Sequence, residues 1–258
     1  VDLANLGSEF NTNAQTDRGD VVVTSSDGTT KLEREIVQNG SNYDELWFKA
    51  PTLSASSNTI FYIYYGNATA NEVNDSSVWS NGYVMVQHLN ELPGSTQIDS
   101  TGNSLNGSHS GFSISDSVQA KIGDGLNFDG IDASLSVADN PLLRFGTGDF
   151  AYSFWTKYDP SANNQSNIRK GIDSSGVKSI GRLNNSNNFQ VVFNTASGNS
   201  SYTSVGVIPN NEWKRVHVQF DQTNSTSNIY IDGDLYDSFS IVPGNSDNSQ
   251  PLVLGASN

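Results

Sequence analysis

Short apolar runs, separated every eight to twelve residues by clusters of Ser, Asn, Gly and Asp, constrain the fold of this chain more than any other feature. The runs are rich in β-branched and aromatic residues, and most are too short for a helix. Helix fits only a turn or two, for example within 140–145. The pattern predicts an all-β protein built from antiparallel sandwiches.

The first 80 residues contain four strand candidates, at 20–24, 31–37, 44–50 and 58–65. The dipeptide Asp27-Gly28, which follows the first candidate, is typical of a hairpin turn. The fourth candidate has bulky side chains on both faces, with Ile60, Tyr62 and Tyr64 on one of them. Two bulky faces predict a central strand that is covered on both sides.

A polar stretch at 71–81 precedes a second series of strand candidates and predicts two domains, 1–80 and 82–258. The second series lies at 83–89, 121–128, 133–138, 149–158, 177–183, 189–194, 202–207, 213–220 and 229–236. The last of these is predicted to be a hairpin around Asp232-Gly233. We expect Trp155 and Trp213, which lie in alternating strands, to belong to the core, and His217 to pack within its strand.

The charge balance of 13 basic and 27 acidic residues gives a formal net charge of -14. Because this charge repels phosphate groups, we expect neither nucleic acid nor an anionic membrane as a partner.

The chain has no cysteine, which favours an extracellular, exported protein. Its longest apolar run, at 60–65, is strand-sized and predicts no membrane insertion of this segment. Asn-x-Ser/Thr triplets that permit N-glycosylation occur at Asn39, Asn67, Asn74, Asn106, Asn164, Asn184, Asn199 and Asn224.

Three blocks of the first segment resemble the small β domain known as DUF2341. They read DVVVTSSDGTT at 20–30, LWFKAPTLSA at 46–55 and IYYGNATA at 63–70. The resemblance covers residues 1–80, and it implies a surface or secreted module without an assigned enzymatic role.

The second segment, 82–258, is similar to laminin-G-like domains of the concanavalin A-like jelly-roll class. The similarity rests on HLNE at 88–91 with DSTGN at 99–103, GLNFDG at 125–130, FAYSFW at 150–155, and EWKRVHV at 212–218 with IYIDG at 229–233. DUF2341 domains usually begin with one more strand before the equivalent of Val1, and laminin-G-like domains usually continue with one more strand after the equivalent of Leu254. The resemblance therefore implies either a fragment of a longer protein or strands supplied by a neighbouring molecule.

Asp99, Asn103 and Asp129 are the candidate ligands of a divalent cation. Ca²⁺ takes oxygen ligands held by tight turns, and Gly102 and Gly130 permit such turns. The laminin-G-like resemblance implies a Ca²⁺ at comparable loops. The alternative is that Asp99 and Asn103 cap a turn through their own backbone.

The sequence contains no pattern that indicates a catalytic site. Concanavalin A-like glucanases place their carboxylates on one strand face as Glu-x-Asp-x-Glu, and this run does not occur. Glu33 and Glu35 alternate, but they lie in the first domain, where we expect a solvated strand face. The three histidines lack zinc-ligand spacing. We therefore expect a protein that is not an enzyme.

Aromatic side chains could form a platform for sugars or could pack in the interior. The candidates are Trp79, Tyr83, Tyr158 and Tyr202, for which core or interdomain packing is the simpler interpretation.

Three functions remain open. The chain could be an adhesive module that binds a glycan or a surface protein, with Ca²⁺ as a cofactor. It could be a subunit of a filament or coat, joined to copies of itself by strand exchange. It could also be an ancillary domain of a larger secreted hydrolase.

Overall fold

The computed structural model describes residues 1–38, 44–159, 166–171, 178–183, 188–195, 198–204, 208–240, 244–245 and 247–255. Its strands are, in chain order, β1 (Val22–Thr24), β2 (Arg34–Val37), β3 (Glu45–Phe48), β4 (Tyr62–Tyr64), β5 (Gly107–Ser110), β6 (Ser117–Gln119), β7 (Asp124–Leu126), β8 (Ser134–Val137), β9 (Phe150–Lys157), β10 (Ser166–Lys170), β11 (Lys178–Leu183), β12 (Phe189–Thr195), β13 (Gly198–Thr203), β14 (Trp213–Asp221), β15 (Thr226–Ile231), β16 (Asp234–Phe239) and β17 (Leu252–Leu254). The helical segments are α1 (Ser8–Asn13) and short 3₁₀ turns at Leu3–Leu6, Ser76–Trp79, Ile114–Asp116 and Pro141–Leu143.

The predicted all-β class is confirmed. Parts of the sequence predictions lie outside the described residues, namely Asn39, Asn164, Asn184, Val177 and 205–207.

The chain divides into two compact units. Unit one comprises Val1–Glu91, Gln97–Leu105 and Ser117–Leu126. Unit two comprises Leu92–Thr96, Asn106–Asp116 and Asn127–Asn258. The predicted domain boundaries, 1–80 and 82–258, stay a prediction about which segments fold independently.

Unit one packs around a small apolar core, which consists of Leu3, Phe10, Val21, Val23, Ile36 and Leu46. Its strands form three antiparallel pairs: β1 with β4, β2 with β3, and β6 with β7. The helix α1 supplies Phe10, whose ring centroid lies 4.9 Å from that of Tyr65. This helix is not predicted from the sequence, because six residues with a single buried side chain show no helical periodicity.

Strand β4 follows the predicted alternation, but only one of its faces is covered. Ile63 packs against the core of unit one together with Phe61 and Tyr65. On the other face, Ile60 and Tyr62 are 54% and 45% exposed, and Tyr64 is 48% exposed. The expectation of a central strand covered on both sides is therefore wrong: this second face is exposed, and β1 is the only strand that pairs with β4 among the described residues.

The predicted strand at 83–89 is reduced to one isolated bridge, between Gln87 and Asp99. Side chains from 99–103 satisfy backbone groups that a neighbouring strand would otherwise bind. The amide of Val86 donates to Asp99 Oδ1 at 3.0 Å, and the Val84 carbonyl accepts from Asn103 Nδ2 at 2.9 Å. Side-chain hydrogen bonds of this kind compete with strand pairing.

Unit two is a two-sheet antiparallel sandwich. One sheet has the strand order β13-β12-β11-β10-β17-β8-β5, and the other has the order β16-β15-β14-β9. The core lies between them, where Val191 and Phe193 of β12 meet Val216, Val218 and Phe220 of β14. The rings of Phe193 and Phe220 meet edge to face with centroids 5.2 Å apart. The predicted alternation of β14 is confirmed.

The turn predicted within 140–145 is also present. Asn140 accepts the backbone N–H of Leu142 at 2.9 Å, and Pro141 begins the 3₁₀ turn Pro141–Leu143, where its fixed φ suits a helical start. In the part of the chain that the structure describes, no helix has the length and apolar character that crossing a bilayer requires.

Candidate functional site

The side chains of β14 alternate between the core and the outer face of the four-stranded sheet. Because alternate residues from Val216 onward are buried, Arg215, His217 and Gln219 lie on the outer face. Arg215 pairs across the ladder with Trp155 of β9, and His217 pairs with Tyr230 of β15. The residues Trp155, Arg215, His217, Gln219 and Tyr230 are called the outer-face cluster below.

A cavity of about 250 Å³ opens on this face and is lined by Arg215, His217, Gln219, Tyr230 and Gly233. The ring centroids of His217 and Tyr230 lie 5.7 Å apart, with planes inclined by 57°. Both side chains are half-buried. The lining thus offers ring surfaces for apolar contact beside an imidazole, an amide and a guanidinium for hydrogen bonding.

The hairpin between β15 and β16 forms one rim of the cavity. Asp232 and Gly233 have φ angles of 55° and 98°, and two positive values of φ are typical of a type I′ turn, so the predicted hairpin is confirmed. The amide of Asp232 donates to the Arg215 carbonyl, and the amide of Arg215 donates to Asp232 Oδ1, both at 2.9 Å. Lys214 Nζ donates to Asp232 Oδ2 at 3.1 Å. These bonds fix the turn against β14.

Arg215 is the residue of the outer-face cluster that carries a charge. Its side chain is exposed, and none of the described carboxylates lies within ion-pair distance of its guanidinium. Burial, and after it the charge of Arg215, lowers the pKa of His217 below 6.5. The imidazole is therefore neutral at pH 7, with one nitrogen as donor and the other as acceptor.

Trp155 and Trp213 lie on the outer side of the sheet, so the expectation that they belong to the core is wrong. Both are only partly buried, and neither is part of the core of unit two. Phe150, Tyr152 and Phe154 of β9 pack against that core instead. Strand β9 has bulky residues on both faces, so alternation alone does not reveal which face points inward. His217 packs against Tyr230, as expected, but it also lines the cavity.

Unit one contains a second cluster, centred on Glu35. Glu35 Oε2 accepts the indole N–H of Trp79 at 2.7 Å and lies 3.1 Å from His88 Nε2. The ring of Trp47 packs 5.2 Å from that of Trp79 and 5.9 Å from that of His88. Glu33 is exposed, but Glu35 is only 8% exposed. The expectation of a solvated strand face is therefore wrong at Glu35.

Opposing influences act on the carboxylates of unit one. Burial acts to raise the pKa of Glu35, but hydrogen bonds from His88, Ser100 and Trp79 outweigh it, and the pKa falls below 4.5. Burial raises the pKa of Glu45, which accepts the Trp47 indole N–H at 3.2 Å. Glu45 and Trp47 also line a cavity of about 310 Å³, together with Val1, Asp2 and 119–123.

The predicted metal ligands are distributed over both units: Asp99 and Asn103 belong to unit one, and Asp129 belongs to unit two. Asp99 is buried, and its carboxylate accepts three backbone N–H bonds of 3.0, 3.0 and 2.9 Å from Val86, Thr101 and Leu105. Asp129 is exposed, and its Oδ1 accepts three backbone N–H bonds of 2.8, 3.1 and 3.0 Å from Ile131, Asp132 and Ala133. Both carboxylates therefore stabilise turns.

Metal binding itself is not decided by these hydrogen bonds. Among the described residues, no three His, Asp or Glu side chains converge on a point where they could hold one metal ion. Ca²⁺ binding by Asp99, Asn103 and Asp129 stays a prediction.

Two of the four aromatic residues proposed from the sequence as a sugar platform have no exposed ring surface for a ligand. Trp79 and Tyr158 are buried, as the packing interpretation predicts. Tyr202 stacks on Phe239 with centroids 3.9 Å apart, and Tyr83 is exposed beside Trp79 in unit one. The outer-face cluster was missed, although the alternation of polar residues along 215–219 was a signal for it.

Two family profiles match the chain in the order that the sequence predicts. Residues 17–102 match a domain of unknown function, DUF2341. Residues 129–258 match Laminin_G_3 of the concanavalin A-like lectin/glucanases superfamily. Both predicted resemblances are confirmed, but the blocks that begin at residues 88 and 99, assigned from the sequence to the laminin-G-like domain, lie outside the Laminin_G_3 match and begin within the DUF2341 match. No curated protein matches the chain.

Several solved structures of low sequence identity are similar to parts of the chain. Domain 4 of AbnA, an extracellular GH43 arabinanase from Geobacillus stearothermophilus in complex with arabinotriose, is 18% identical at a TM-score of 0.46, over 62% of this chain and 77% of that one. An S-layer domain-containing protein from Clostridium thermocellum is 18% identical at a TM-score of 0.41, over 61% of this chain and 72% of that one. Domains LG4-5 of the mouse laminin α1 chain are 13% identical at a TM-score of 0.36, over 45% of this chain. The match spans 29% of the laminin structure.

The Laminin_G_3 match covers half of the 258 residues and includes most strands of the two-sheet sandwich of unit two. This chain belongs to the concanavalin A-like lectin/glucanases superfamily.

Proposed function

We propose that this chain is a non-catalytic extracellular module that binds a saccharide on the outer-face cluster of unit two. The observation that supports this best is the cavity where the rings of Tyr230 and His217 lie beside Arg215 and Gln219. The superfamily includes both lectins and glucanases, so membership alone does not decide between them. The chemistry of the cavity therefore carries the proposal.

A saccharide presents two kinds of surface, and the cavity offers a complement to each. The C–H face of a sugar ring is apolar and packs on a flat ring such as that of Tyr230. Its hydroxyl groups need donors and acceptors at fixed positions. Gln219 supplies both through its amide, neutral His217 supplies one of each, and Arg215 supplies several donors in one plane.

Binding without hydrolysis is consistent with the residues around the cavity. A glycosidase generally needs two carboxyl groups that flank the scissile bond. Among the described residues that line the cavity, none carries a carboxyl group. The carboxylate of Asp232, in the adjacent turn, accepts bonds from Lys214 Nζ and the Arg215 amide.

Export and Ca²⁺ dependence are further parts of the proposal. Export is supported by the absence of cysteine and by the net charge of -14, which keeps a protein soluble. The proposed Ca²⁺ ligands are Asp99, Asn103 and Asp129, of which Asn103 and Asp129 have exposed side chains. The partner would be a glycan, free or attached to a surface protein.

A glycan array followed by titration calorimetry tests the proposal. We expect the wild-type protein to bind at least one class of oligosaccharide. Tyr230→Ala should weaken this binding by about tenfold or more, which corresponds to roughly 1.4 kcal/mol or more of lost contact. Tyr83→Ala is the matched control, because Tyr83 is an exposed tyrosine of unit one. Absence of binding to every glycan, or equal weakening by both substitutions, would contradict the proposal.

A second candidate function, assembly of copies into a surface filament or coat, is favoured by a separate observation. Strand β4 is paired on one side only among the described residues, and Ile60, Tyr62 and Tyr64 beside its open edge are exposed. An open strand edge with large exposed side chains can pair with a strand of another molecule.

Light scattering after size-exclusion chromatography tests this second candidate. Assembly through β4 predicts oligomers that increase with protein concentration. Tyr62→Lys should abolish them, since a lysine on an edge strand opposes pairing. Leu53→Lys is the control, because Leu53 is 70% exposed outside β4. A protein that stays monomeric at all concentrations would exclude assembly through this edge.

A further inference from the structure

We infer that the saccharide bound by the outer-face cluster carries a carboxylate, as uronic and sialic acid residues do, and that Arg215 binds this carboxylate. The inference rests on the proposed function and narrows the class of ligand. It starts from the guanidinium of Arg215, which lines the cavity and has no carboxylate partner among the described residues.

Lys170 and Arg144, two other cations of unit two, share one carboxylate partner, whereas Arg215 has none among the described residues. Lys170 Nζ lies 2.7 Å from Asp139 Oδ1, and Arg144 pairs with the same carboxylate. Arg215 lines the cavity with an exposed side chain and no ion pair. Because acidic residues outnumber basic ones by 27 to 13 in this chain, a guanidinium that lines a cavity without a carboxylate partner distinguishes the outer face of this sheet.

The carboxylate nearest in the fold, that of Asp232, is already used elsewhere. Its Oδ1 accepts the backbone N–H of Arg215 at 2.9 Å, and its Oδ2 accepts from Lys214 Nζ at 3.1 Å. Asp232 therefore holds the hairpin turn and compensates Lys214. The guanidinium of Arg215 keeps its planar set of donors for a ligand.

A second cation lies on the same face. The ladder between β9 and β14 pairs Arg215 with Trp155, and Lys157 with Trp213. Lys157 is exposed and, like Arg215, has no ion pair with a described carboxylate. The face thus has local positive charge beside aromatic rings, although the whole chain is strongly acidic. Charge complementarity favours a ligand with an isolated negative charge, while the overall field disfavours dense polyanions.

The geometry of arginine selects the kind of anion. A guanidinium donates two parallel N–H bonds, which match the two oxygens of a planar carboxylate. In an acidic sugar the carboxylate is attached to the ring or close to it, so the sugar face can contact Tyr230 while the carboxylate meets Arg215. Sulfate esters are tetrahedral rather than planar, so binding of a sulfated ligand alone would contradict the inference.

Calorimetric titration with paired probes tests the inference. Tetragalacturonate is compared with its methyl ester, and sialyllactose with its own methyl ester, so that each pair differs only in the carboxylate charge and the two pairs separate the two sources. Sulfated dextran is the fifth probe. We expect at least one acidic probe to bind about tenfold or more tightly than its neutral partner. Arg215→Gln should abolish this difference, and Arg215→Lys should retain only part of it.

Arg144→Gln is the matched control, because it removes the same charge from an exposed arginine whose partner is Asp139. A thermal melt of each variant verifies folding. Equal binding of acidic and neutral probes, with a loss in Tyr230→Ala and none in Arg215→Gln, overturns the inference but leaves the proposed function intact. Binding of sulfated dextran alone also overturns it. Absence of binding to all five probes and to a wider glycan array overturns both.

Discussion

Trp79 donates its indole N–H to the carboxylate of Glu35 at 2.7 Å, although 44 residues separate the two in the sequence. Both side chains are buried, and His88 approaches the same carboxylate oxygen. The bond connects the 3₁₀ turn Ser76–Trp79 with β2 inside unit one. A buried carboxylate is tolerated there because these donors replace the water that it loses on folding.

Glu35→Gln is expected to lower the free energy of unfolding at pH 7 by about 1–3 kcal/mol, which is the usual effect of impairing a buried hydrogen bond to a charged group. The hydrogen bonds hold the pKa of Glu35 below 4.5, so the unfolded chain binds its proton first as the pH falls. The stabilisation is therefore complete above about pH 4.5 and is lost as the pH falls through the lower, folded-state pKa. Urea unfolding at pH 7 and at pH 3 measures both effects.

Glu33→Gln is the control for this prediction, because Glu33 is an exposed carboxylate two residues earlier in the chain. Its substitution should change the free energy of unfolding by less than about 0.5 kcal/mol. Equal effects of the two substitutions at pH 7 would mean that the bond to Trp79 contributes nothing beyond a surface charge.

Asp99 and Asp129 each accept three backbone N–H bonds, but the structure predicts different costs for their removal. Asp99→Ala leaves the buried N–H groups of Thr101 and Leu105 without an acceptor, and each such donor costs about 1–3 kcal/mol, so we expect a total loss of at least about 2 kcal/mol. Asp129 is exposed, so water can replace its oxygen, and Asp129→Ala should cost only about 1 kcal/mol. Differential scanning calorimetry compares the two variants. A larger loss in Asp129→Ala would contradict the assignment of Asp99 as the buried turn acceptor.

The Ca²⁺ prediction is tested through stability as well as through binding. A cation held only by the folded protein stabilises it, so Ca²⁺ bound by Asp99, Asn103 and Asp129 should raise the melting temperature in millimolar CaCl₂ relative to EDTA. Asn103→Ala should reduce the shift, and Mg²⁺ should give a smaller one because it retains its water ligands. Superimposable melts in CaCl₂ and EDTA would remove Ca²⁺ from the proposed function.

Local patterns in the sequence predict the parts of this fold that depend on neighbours in the chain. The alternation along β14 and the hairpin at Asp232-Gly233 are both confirmed, because side-chain period and turn geometry are properties of a few consecutive residues. Alternation does not, however, show which face meets a second layer. Tyr62 and Trp155 are therefore misplaced by sequence reasoning, since each lies on a strand with bulky residues on both faces.

The environment of Glu35 escapes prediction for a different reason. Charged neighbours such as Glu33 suggest a solvated strand, while the groups that bury and hydrogen-bond Glu35 come from Trp79 and His88, far along the chain. The outer-face cluster is a similar case. His217 and Tyr230 become neighbours only through the pairing of β14 with β15. The sequence therefore does not predict that they form one site until the register of the two strands is known.

His217 gives the stability of unit two a dependence on pH that can be measured without any ligand. Burial, and after it the charge of Arg215, lowers its pKa in the folded protein. Below about pH 6.5 the unfolded chain therefore binds a proton that the folded protein resists, and the free energy of unfolding decreases as the pH falls. His217→Gln removes this difference, so the variant should lose less stability than the wild type between pH 8 and pH 5. His109→Gln serves as a comparison, since burial also lowers the pKa of His109 and the change should have the same direction. If the pH profile of His217→Gln is as steep as that of the wild type, the imidazole is solvated, and the cavity beside Tyr230 does not shield it.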